Sequence, residues 1–445
     1  MKHIATAGIV TLGCSRNLVD SEILLGSLKK RGVRIVRREE DPDLLIINTC
    51  AFIQPAREEA VETILEACEL KKSGRVRYLA VGGCLPQLYR NEDVQNALTG
   101  VDLIFGTNDF HKVASLLHAR THRILNISDD LSYLYDHASP RYQLTPKHYA
   151  FLKISEGCNN RCSYCVIPRL RGSFRSREIS SVLSEAKNLS RSGTLKELNI
   201  IGQDTTLYGI DRYGDMKLPE LLTKLARADI SAGWIRLLYT HPAHYSDALI
   251  DVVAGEKKIC KYLDIPIQHI NDKILTRMNR HVKRREIVSL IKKIRRRIPG
   301  ITLRTSLIVG FPGEGEKEFN ELLKFVKDTS FERLGVFTYS KEDRTPAAKF
   351  SGHLSESVKN ARMDMVMSLQ RDMSSVKLKK FLGKSVKVLV DEKDKAGGNY
   401  IARTIADAPD VDGVVYLSGD GIKVGSFYTC RITGTLEYDM IGKVA

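Results

Sequence analysis

Cys158, Cys162 and Cys165 stand within one short stretch, CNNRCSYC, at the spacing C-x3-C-x2-C. Thiolates placed this way can converge on one metal centre. A cubane of four irons held by three cysteines leaves one iron without a protein ligand, and that open position can bind a substrate or cofactor chemically. A structural zinc site normally closes with a fourth Cys or His nearby. Here no histidine lies between His148 and His241, and the next cysteine after Cys165 is Cys260. A disulfide framework suits short secreted chains, whereas this chain has 445 residues and nine cysteines. The loop reads as a reactive iron-sulfur site.

Three further cysteines share a different signature. Cys14, Cys50 and Cys84 each follow an apolar run, in Leu12-Gly13-Cys14, Asn48-Thr49-Cys50 and Gly82-Gly83-Cys84. Residues 8–12, 44–48, 76–81 and 102–105 read as short strands, with helical patterns such as 56–71 between them. That alternation predicts a parallel sheet with covering helices. The carboxyl ends of such strands share one edge, where sites form, so the three thiols should meet in space. Cys68, within a helical pattern, and the solitary Cys260 and Cys430 read as buried structural cysteines. For the trio, the affinity of thiolates for iron and sulfur suggests a second cluster.

A polar, Tyr-rich linker with Pro140 and Pro146 covers residues 128–147. Six apolar runs then read as strands, over 150–155, 197–202, 234–239, 262–267, 303–310 and 333–339, with helical patterns at 178–192, 219–228 and 285–297 among those between them. Strand-helix units joined by right-handed crossovers curl into a barrel, and six units rather than eight leave it open on one side. The cysteine triplet follows the first strand, Gly202-Gln203-Asp204 the second, and Gly310-Phe311-Pro312-Gly313 the fifth. All should therefore face one cavity at the strands' carboxyl ends. From residue 385, alternating segments at 386–390, 413–417 and 428–433 lie between Gly and Asp turns, the pattern of a small antiparallel barrel. The expected fold class is α/β: an N-terminal parallel-sheet α/β domain over 1–140, a central open (β/α)6 partial barrel over 141–375, and a small C-terminal β-barrel over 376–445.

The length suggests about three domains at roughly 150 residues each, and a hydrophobic content of 43% is enough to build their cores. No stretch approaches the roughly 18 apolar residues a membrane helix requires. Met1-Lys2-His3 and residues 4–14 faintly imitate a secretory signal, yet Thr6, Gly8, Thr11 and Gly13 suit a first buried strand ending in a Gly turn. The expected location is cytoplasmic. A net charge of +16, from 69 basic and 53 acidic residues, suggests an anionic partner such as the ribosome or RNA.

The triplet, with Tyr164 at the aromatic position before its last cysteine, resembles the signature of the radical S-adenosylmethionine superfamily. The order of a three-cysteine domain, a radical domain and a C-terminal TRAM barrel resembles the methylthiotransferase family. The resemblance implies two [4Fe-4S] clusters, one on Cys158, Cys162 and Cys165 and one on Cys14, Cys50 and Cys84. It also implies S-adenosylmethionine, chelated through its amino and carboxylate groups and split to methionine and a 5'-deoxyadenosyl radical. In that family the N-terminal cluster supplies sulfur to an unactivated carbon, and a second S-adenosylmethionine supplies the methyl group. Gly202, Gln203 and Asp204 would then lie at the methionine end and ribose of the cofactor. Ser306 and Gly310 would belong to a fifth-strand motif packing on adenine, although many relatives carry glycine at the position of Ser306. Arg304 would reach the cofactor carboxylate by a charge-assisted contact. An electron donor such as a flavodoxin or ferredoxin system is implied. No acid or base is named, because hydrogen-atom abstraction does not demand one.

Two branches of the family compete. One modifies adenosine next to a tRNA anticodon, and the other modifies an aspartate of small-subunit ribosomal protein twelve at its beta carbon, free or in the ribosome. The segments TLGCSRNLVDSE (11–22), KISEGC (153–158), QDTTLYG (203–209) and DAPDVDG (407–413) resemble the protein-modifying branch. A tRNA enzyme more often shows Gln then Met where Ser15 and Arg16 stand. From residue 385 to the end, seven Lys and Arg face nine Asp and Glu. A barrel devoted to RNA should be basic, so this one suits a basic protein surface, with Asp407, Asp410, Asp412 and Asp420 as its acidic face. Lys283, Arg284, Arg285, Lys292, Lys293, Arg295, Arg296 and Arg297 surround one helix, a solvated face or a contact to ribosomal RNA. Arg161, Arg169, Arg171, Arg175 and Arg177, with Phe174 among them, could steer an acidic target side chain or the cofactor carboxylate. The reading from a different class is a non-catalytic iron-sulfur protein that senses redox state or scaffolds the ribosome.

Overall fold

The computed structural model describes residues 4–90, 94–117, 124–394 and 398–444. Residues 1–3, the start of the signal-like run, lie outside them. The chain forms two compact units. One comprises Met1–Leu144, Lys153–Arg161 and Cys165–Glu185, the other Thr145–Leu152, Cys162–Tyr164 and Ala186–Ala445.

In the first unit, strands β1 (Thr6–Thr11), β2 (Arg34–Ile35), β3 (Leu44–Thr49), β4 (Tyr78–Gly83), β5 (Leu103–Phe105) and β6 (Ile124–Asn126) form a parallel sheet in the order β2-β1-β3-β4-β5-β6. Every residue of β3 is buried, as expected of a central parallel strand covered on both faces. Leu45 and Ile47 pack toward Ala60 and Ile64 of the helix Gln54–Lys72. Leu44 and Ile46 belong to the opposite core layer, with Leu24, Leu25 and Leu28 of the helix Ser15–Lys30. The two-residue period of the strand divides them in this way. A short antiparallel pair, β8 (Ser155–Glu156) with β9 (Arg175–Ser176), also belongs to this unit.

The second unit holds an open parallel sheet of β7 (Tyr149–Lys153), β10 (Glu197–Ile201), β11 (Trp234–Leu237), β12 (Ile259–Asp264), β13 (Thr302–Val309) and β14 (Arg333–Thr338), in the order β14-β13-β12-β11-β10-β7. Five of the six strands begin within one residue of the predicted runs, whereas β12 lies three residues before the expected 262–267. The helix Glu356–Lys379 leads to a closed barrel of β15 (Ser385–Lys393), β16 (Tyr400–Thr404), β17 (Val415–Ser418), β18 (Phe427–Thr435) and β19 (Met440–Val444). The barrel is antiparallel except where β17 runs parallel to β19. Val388, Val390, Ala402, Val415, Leu417, Cys430 and Ile432 fill it.

The acidic residues of this barrel overturn the expectation of an acidic docking face. Asp407 pairs with Arg333, while Asp412 accepts from Tyr262 Oη at 2.6 Å and faces Arg304 at 3.4 Å. Both carboxylates are 2% exposed and turned inward, toward residues near the starts of the sheet strands. Asp410 and Asp420 alone of the four are exposed. Arg403 joins the same interior, between Glu197 at 2.8 Å and Asp391. The segment's net negative charge therefore balances buried arginines and makes no argument for a protein over an RNA partner. Among the described residues, no helix is long and apolar enough to cross a membrane.

Candidate functional site: two sets of cysteines

The adjacency of β1, β3 and β4 brings the strand-end cysteines to one edge of the first unit's sheet. Cys14 caps the helix Ser15–Lys30, Cys50 follows β3 directly, and Cys84 opens the helix Cys84–Leu88. Glycines make the approach possible. A Cβ on Gly13, at φ 85°, would fall 2.8 Å from Cys50 Sγ, and one on Gly83 would fall 2.3 Å from Asn48 Oδ1. Asn17 ties the strand ends together, its Nδ2 donating to Leu12 O at 3.0 Å and to Thr49 O at 2.9 Å. Cys84 Sγ faces Asn17 Oδ1 at 3.8 Å.

The three thiols differ electrostatically. Burial works to raise Cys14, but the Arg16 and Arg171 cations and the Asn17 amide outweigh it and leave the thiol below its ordinary value. Burial raises Cys50, and the neighbouring Cys14 charge adds to the effect. Cys84 is pushed up to about 12 by burial against the pull of Arg171, with the charges of Cys50 and Cys14 adding to the rise. Three sulfurs that feel one another's charge at one edge fit a group that takes thiolates and offers positive charge in return.

The triplet loop has anchors in each unit. In the first, Cys158 N donates to Gly172 O at 3.2 Å and Phe174 N to Asn159 Oδ1 at 3.1 Å, above the β8–β9 pair. In the second, Ser163 donates through N to Met278 O at 3.0 Å and through Oγ to Arg277 O at 2.7 Å. Arg280 Nη1 stands 3.6 Å from Cys162 Sγ, and Tyr164 packs edge-on to Phe311. Two of the loop's nearby arginines are not available for steering, contrary to expectation: Arg171 and Arg177 are 4% and 2% exposed. Arg177 pairs with Glu185 and stacks on Tyr135, with 4.2 Å to the ring centre.

At the carboxyl ends of β10 and β11, Asp204 is nearly enclosed. Its Oδ1 accepts from Thr206 N at 3.0 Å and its Oδ2 meets His244 Nδ1 at 2.9 Å. Burial opposes its ionisation, but the hydrogen bonds from His244 and Thr206 outweigh it and hold the carboxyl at about 2. His241 is driven down to about 2 by burial and by Arg280, and so stays neutral. Its buried Nε2 has no partner among the described residues. Sequence reading passed over this pair, although two histidines three apart just after a strand, in His241-Pro-Ala-His244, are a legible signal.

The fifth-strand residues divide. Ser306 offers its carbonyl to Gln268 N at 2.9 Å, and Gly310, at φ 72°, donates to Glu314 at 3.0 Å. Arg304 sits early in β13, where Asp264 at 2.9 Å and Asp412 answer its charge. The basic helix Arg284–Arg297 buries Ile287, Ile291 and Ile294, and several of its cations pair with acids of the same unit, among them Lys293 with Asp247 at 2.8 Å.

An open parallel sheet carrying a three-cysteine loop, with an added cysteine-bearing sheet and a small terminal barrel, defines a radical S-adenosylmethionine protein with two accessory segments. Residues 152–326 match the Radical SAM superfamily, 6–106 the family described as Uncharacterized protein family UPF0004, and 382–445 the TRAM domain. The chain is 44% identical over 437 residues to a protein of Heliobacterium modesticaldum named ribosomal protein uS12 methylthiotransferase RimO, covering 98% of this chain and 94% of the relative. A protein of Pelotomaculum thermopropionicum with the same name is 45% identical, covering 98% of each chain. The chain belongs to the RimO family. The fold also resembles that of TsrM, a radical S-adenosylmethionine methyltransferase from Kitasatospora setae, with a TM-score of 0.57 at 15% identity over 78% of this chain and 77% of that one.

Proposed function

We propose that this protein transfers a methylthio group to ribosomal protein uS12, at the beta carbon of an aspartate. The observation that carries the reading is the gathering of Cys14, Cys50 and Cys84 at one sheet edge, in a chain that also holds the C-x3-C-x2-C loop. Full-length similarity to RimO proteins favours it over tRNA modification.

Cys158, Cys162 and Cys165 would hold one [4Fe-4S] cluster and Cys14, Cys50 and Cys84 a second. When bound, these clusters and S-adenosylmethionine supply the radical, the sulfur and the methyl group. The chain's own residues bind and orient. Arg280 would fix the Cys162 sulfur and balance its charge, and Tyr164 would pack the loop onto Phe311. Asp204, held ionised by His244, would accept hydrogen bonds from the cofactor's ribose or amino group, with Gln203 beside it. The backbone at Ser306 and Gly310 would bound the adenine. In the net change one C–H bond of the target becomes C–S–CH3: the hydrogen would leave within 5'-deoxyadenosine alongside methionine, the sulfur would come from the N-terminal cluster, and the methyl donor would leave as S-adenosylhomocysteine. A flavodoxin or ferredoxin would deliver electrons, and the exposed cations of the basic helix would meet ribosomal RNA where uS12 is assembled.

The test offers anaerobically reconstituted protein, S-adenosylmethionine and reductant to uS12 and to unmodified tRNA. A methylthio gain on a uS12 aspartate in mass spectra is expected. Modification of tRNA alone would refute the assignment, and absence of 5'-deoxyadenosine would point to the non-catalytic scaffold.

A further inference from the structure

Within the first unit, Arg171 is the last residue of the helix Ile167–Arg171, which starts two residues beyond Cys165, and its guanidinium is buried beside the other cysteine set. One nitrogen, Nη2, meets Asn17 Oδ1 at 2.5 Å and Cys84 Sγ at 3.9 Å. The other, Nη1, bonds Asp20 and lies 3.4 Å from Glu156. Lys153 completes the group, bonding Asp20 and meeting Glu156 at 2.7 Å. Side chains of all four charged residues are 8% exposed or less.

A buried set of two cations and two carboxylates is a poor device for stability alone, since hydrocarbon of the same volume often does as well or better. Its placement suggests another purpose. Glu156 lies two residues before Cys158, Arg171 six after Cys165, and Asp20 three after Asn17. The set joins both flanks of the triplet loop to the residue that ties together the strand ends of the cysteine trio. We propose that Arg171 is a positioning residue for the N-terminal cluster, donating to the Cys84 sulfur and, through Asn17, setting where that sulfur points.

This inference rests on the second cluster proposed above. A guanidinium donating to a cluster thiolate stabilises the more negative, reduced state and so raises the reduction potential. Asp20 and Glu156 hold the fork in place, and Lys153 keeps the local charge near neutral, so that Arg171 acts as an aimed donor.

The experiment compares full-length reconstituted protein with Arg171→Lys and with the charge-balanced pair Arg171→Gln and Asp20→Asn. Each is made in two backgrounds, one retaining only the N-terminal trio (Cys158→Ala, Cys162→Ala, Cys165→Ala) and one retaining only the triplet (Cys14→Ala, Cys50→Ala, Cys84→Ala). Iron content, paramagnetic resonance spectra and midpoint potentials are measured. The expected result is a lower potential and altered spectrum for the N-terminal cluster, larger in the Gln/Asn pair than in the Lys variant, with the triplet cluster unmoved. An unchanged N-terminal potential at full iron occupancy would overturn the inference, and so would equal shifts of both clusters. If the trio background binds no iron in the parent chain, the second cluster itself fails, a result distinct from either.

Discussion

Arg403, from the C-terminal barrel, forms an ion pair with Glu197 at the start of β10 across 2.8 Å, with both side chains no more than 3% exposed. Arg236 reaches the same carboxylate at 2.7 Å. On its other side Arg403 bonds Asp391, which His148 also contacts at 2.9 Å. The barrel thus meets the foot of the open sheet through buried charge as well as the aromatic contact of Phe427 with Trp234, and its stability should depend on both.

Arg403→Ala should destabilise the second unit by about 3–5 kcal/mol, the usual cost of stranding a buried partner. Glu197 keeps Arg236 and Asp391 keeps His148, so the loss should lie toward the lower end of that range. Thermal and urea unfolding of the reconstituted protein measure the loss. Arg403→Met in combination with Glu197→Gln and Arg236→Met, which removes the whole ion triad, should recover much of it, and no recovery would show that the arginines' packing, not their charge, matters.

Acid should unfold the protein through the same carboxylates. Burial opposes the charge on Glu197, but Arg403 and Arg236 outweigh it and hold the group below its ordinary value; Glu185 and Asp391 are lowered in the same sense. A carboxyl with a lowered folded-state value contributes stability above its unfolded value, about 4 for Asp and Glu, and loses it as pH falls through the folded value. Stability should therefore be flat from neutral pH to about 5 and fall steadily below about 4. A fall beginning near pH 6 would implicate histidine instead.

Gly83→Ala should disturb the cysteine trio. Gly83 has φ 96° and ψ −144°, a region essentially closed to other residues, and the new Cβ would meet Asn48 Oδ1. The strain is about 1–3 kcal/mol, and relieving it moves Cys84. If the proposed second cluster is present, iron content should drop from about eight toward about four per chain, the capacity of one cluster.

Asp204→Asn should weaken S-adenosylmethionine binding. It removes the charge that His244 and Thr206 orient. Hydrogen bonds to charged groups contribute about 1.5–3 kcal/mol, so the dissociation constant should rise at least roughly tenfold by equilibrium dialysis. An unchanged constant would place the cofactor elsewhere.

Several features were legible before any coordinates. The apolar runs of the two parallel sheets, and the β-character of the terminal segment, stand in local hydrophobic periodicity, which is a property of neighbours in sequence. The edge strands β2 and β6, of two and three residues, carry too little pattern to be seen. In the terminal barrel β16 and β19 escaped for another reason: Tyr400–Thr404 and Met440–Val444 become strands through the partners that close the barrel.

By itself the sequence determined the spacing of Cys158, Cys162 and Cys165 and the position of Cys14, Cys50 and Cys84 after their strands, because ligand spacing and strand boundaries are short-range facts. Only the tertiary structure decided how each charge is used. Asp407 and Asp412, read as a surface, turn inward onto arginines, and Arg171, read as a substrate guide, lies buried against Cys84. The physical reason is that an ionised side chain is worth what its partners and its burial make it, and those partners come from segments as far as 154 residues away.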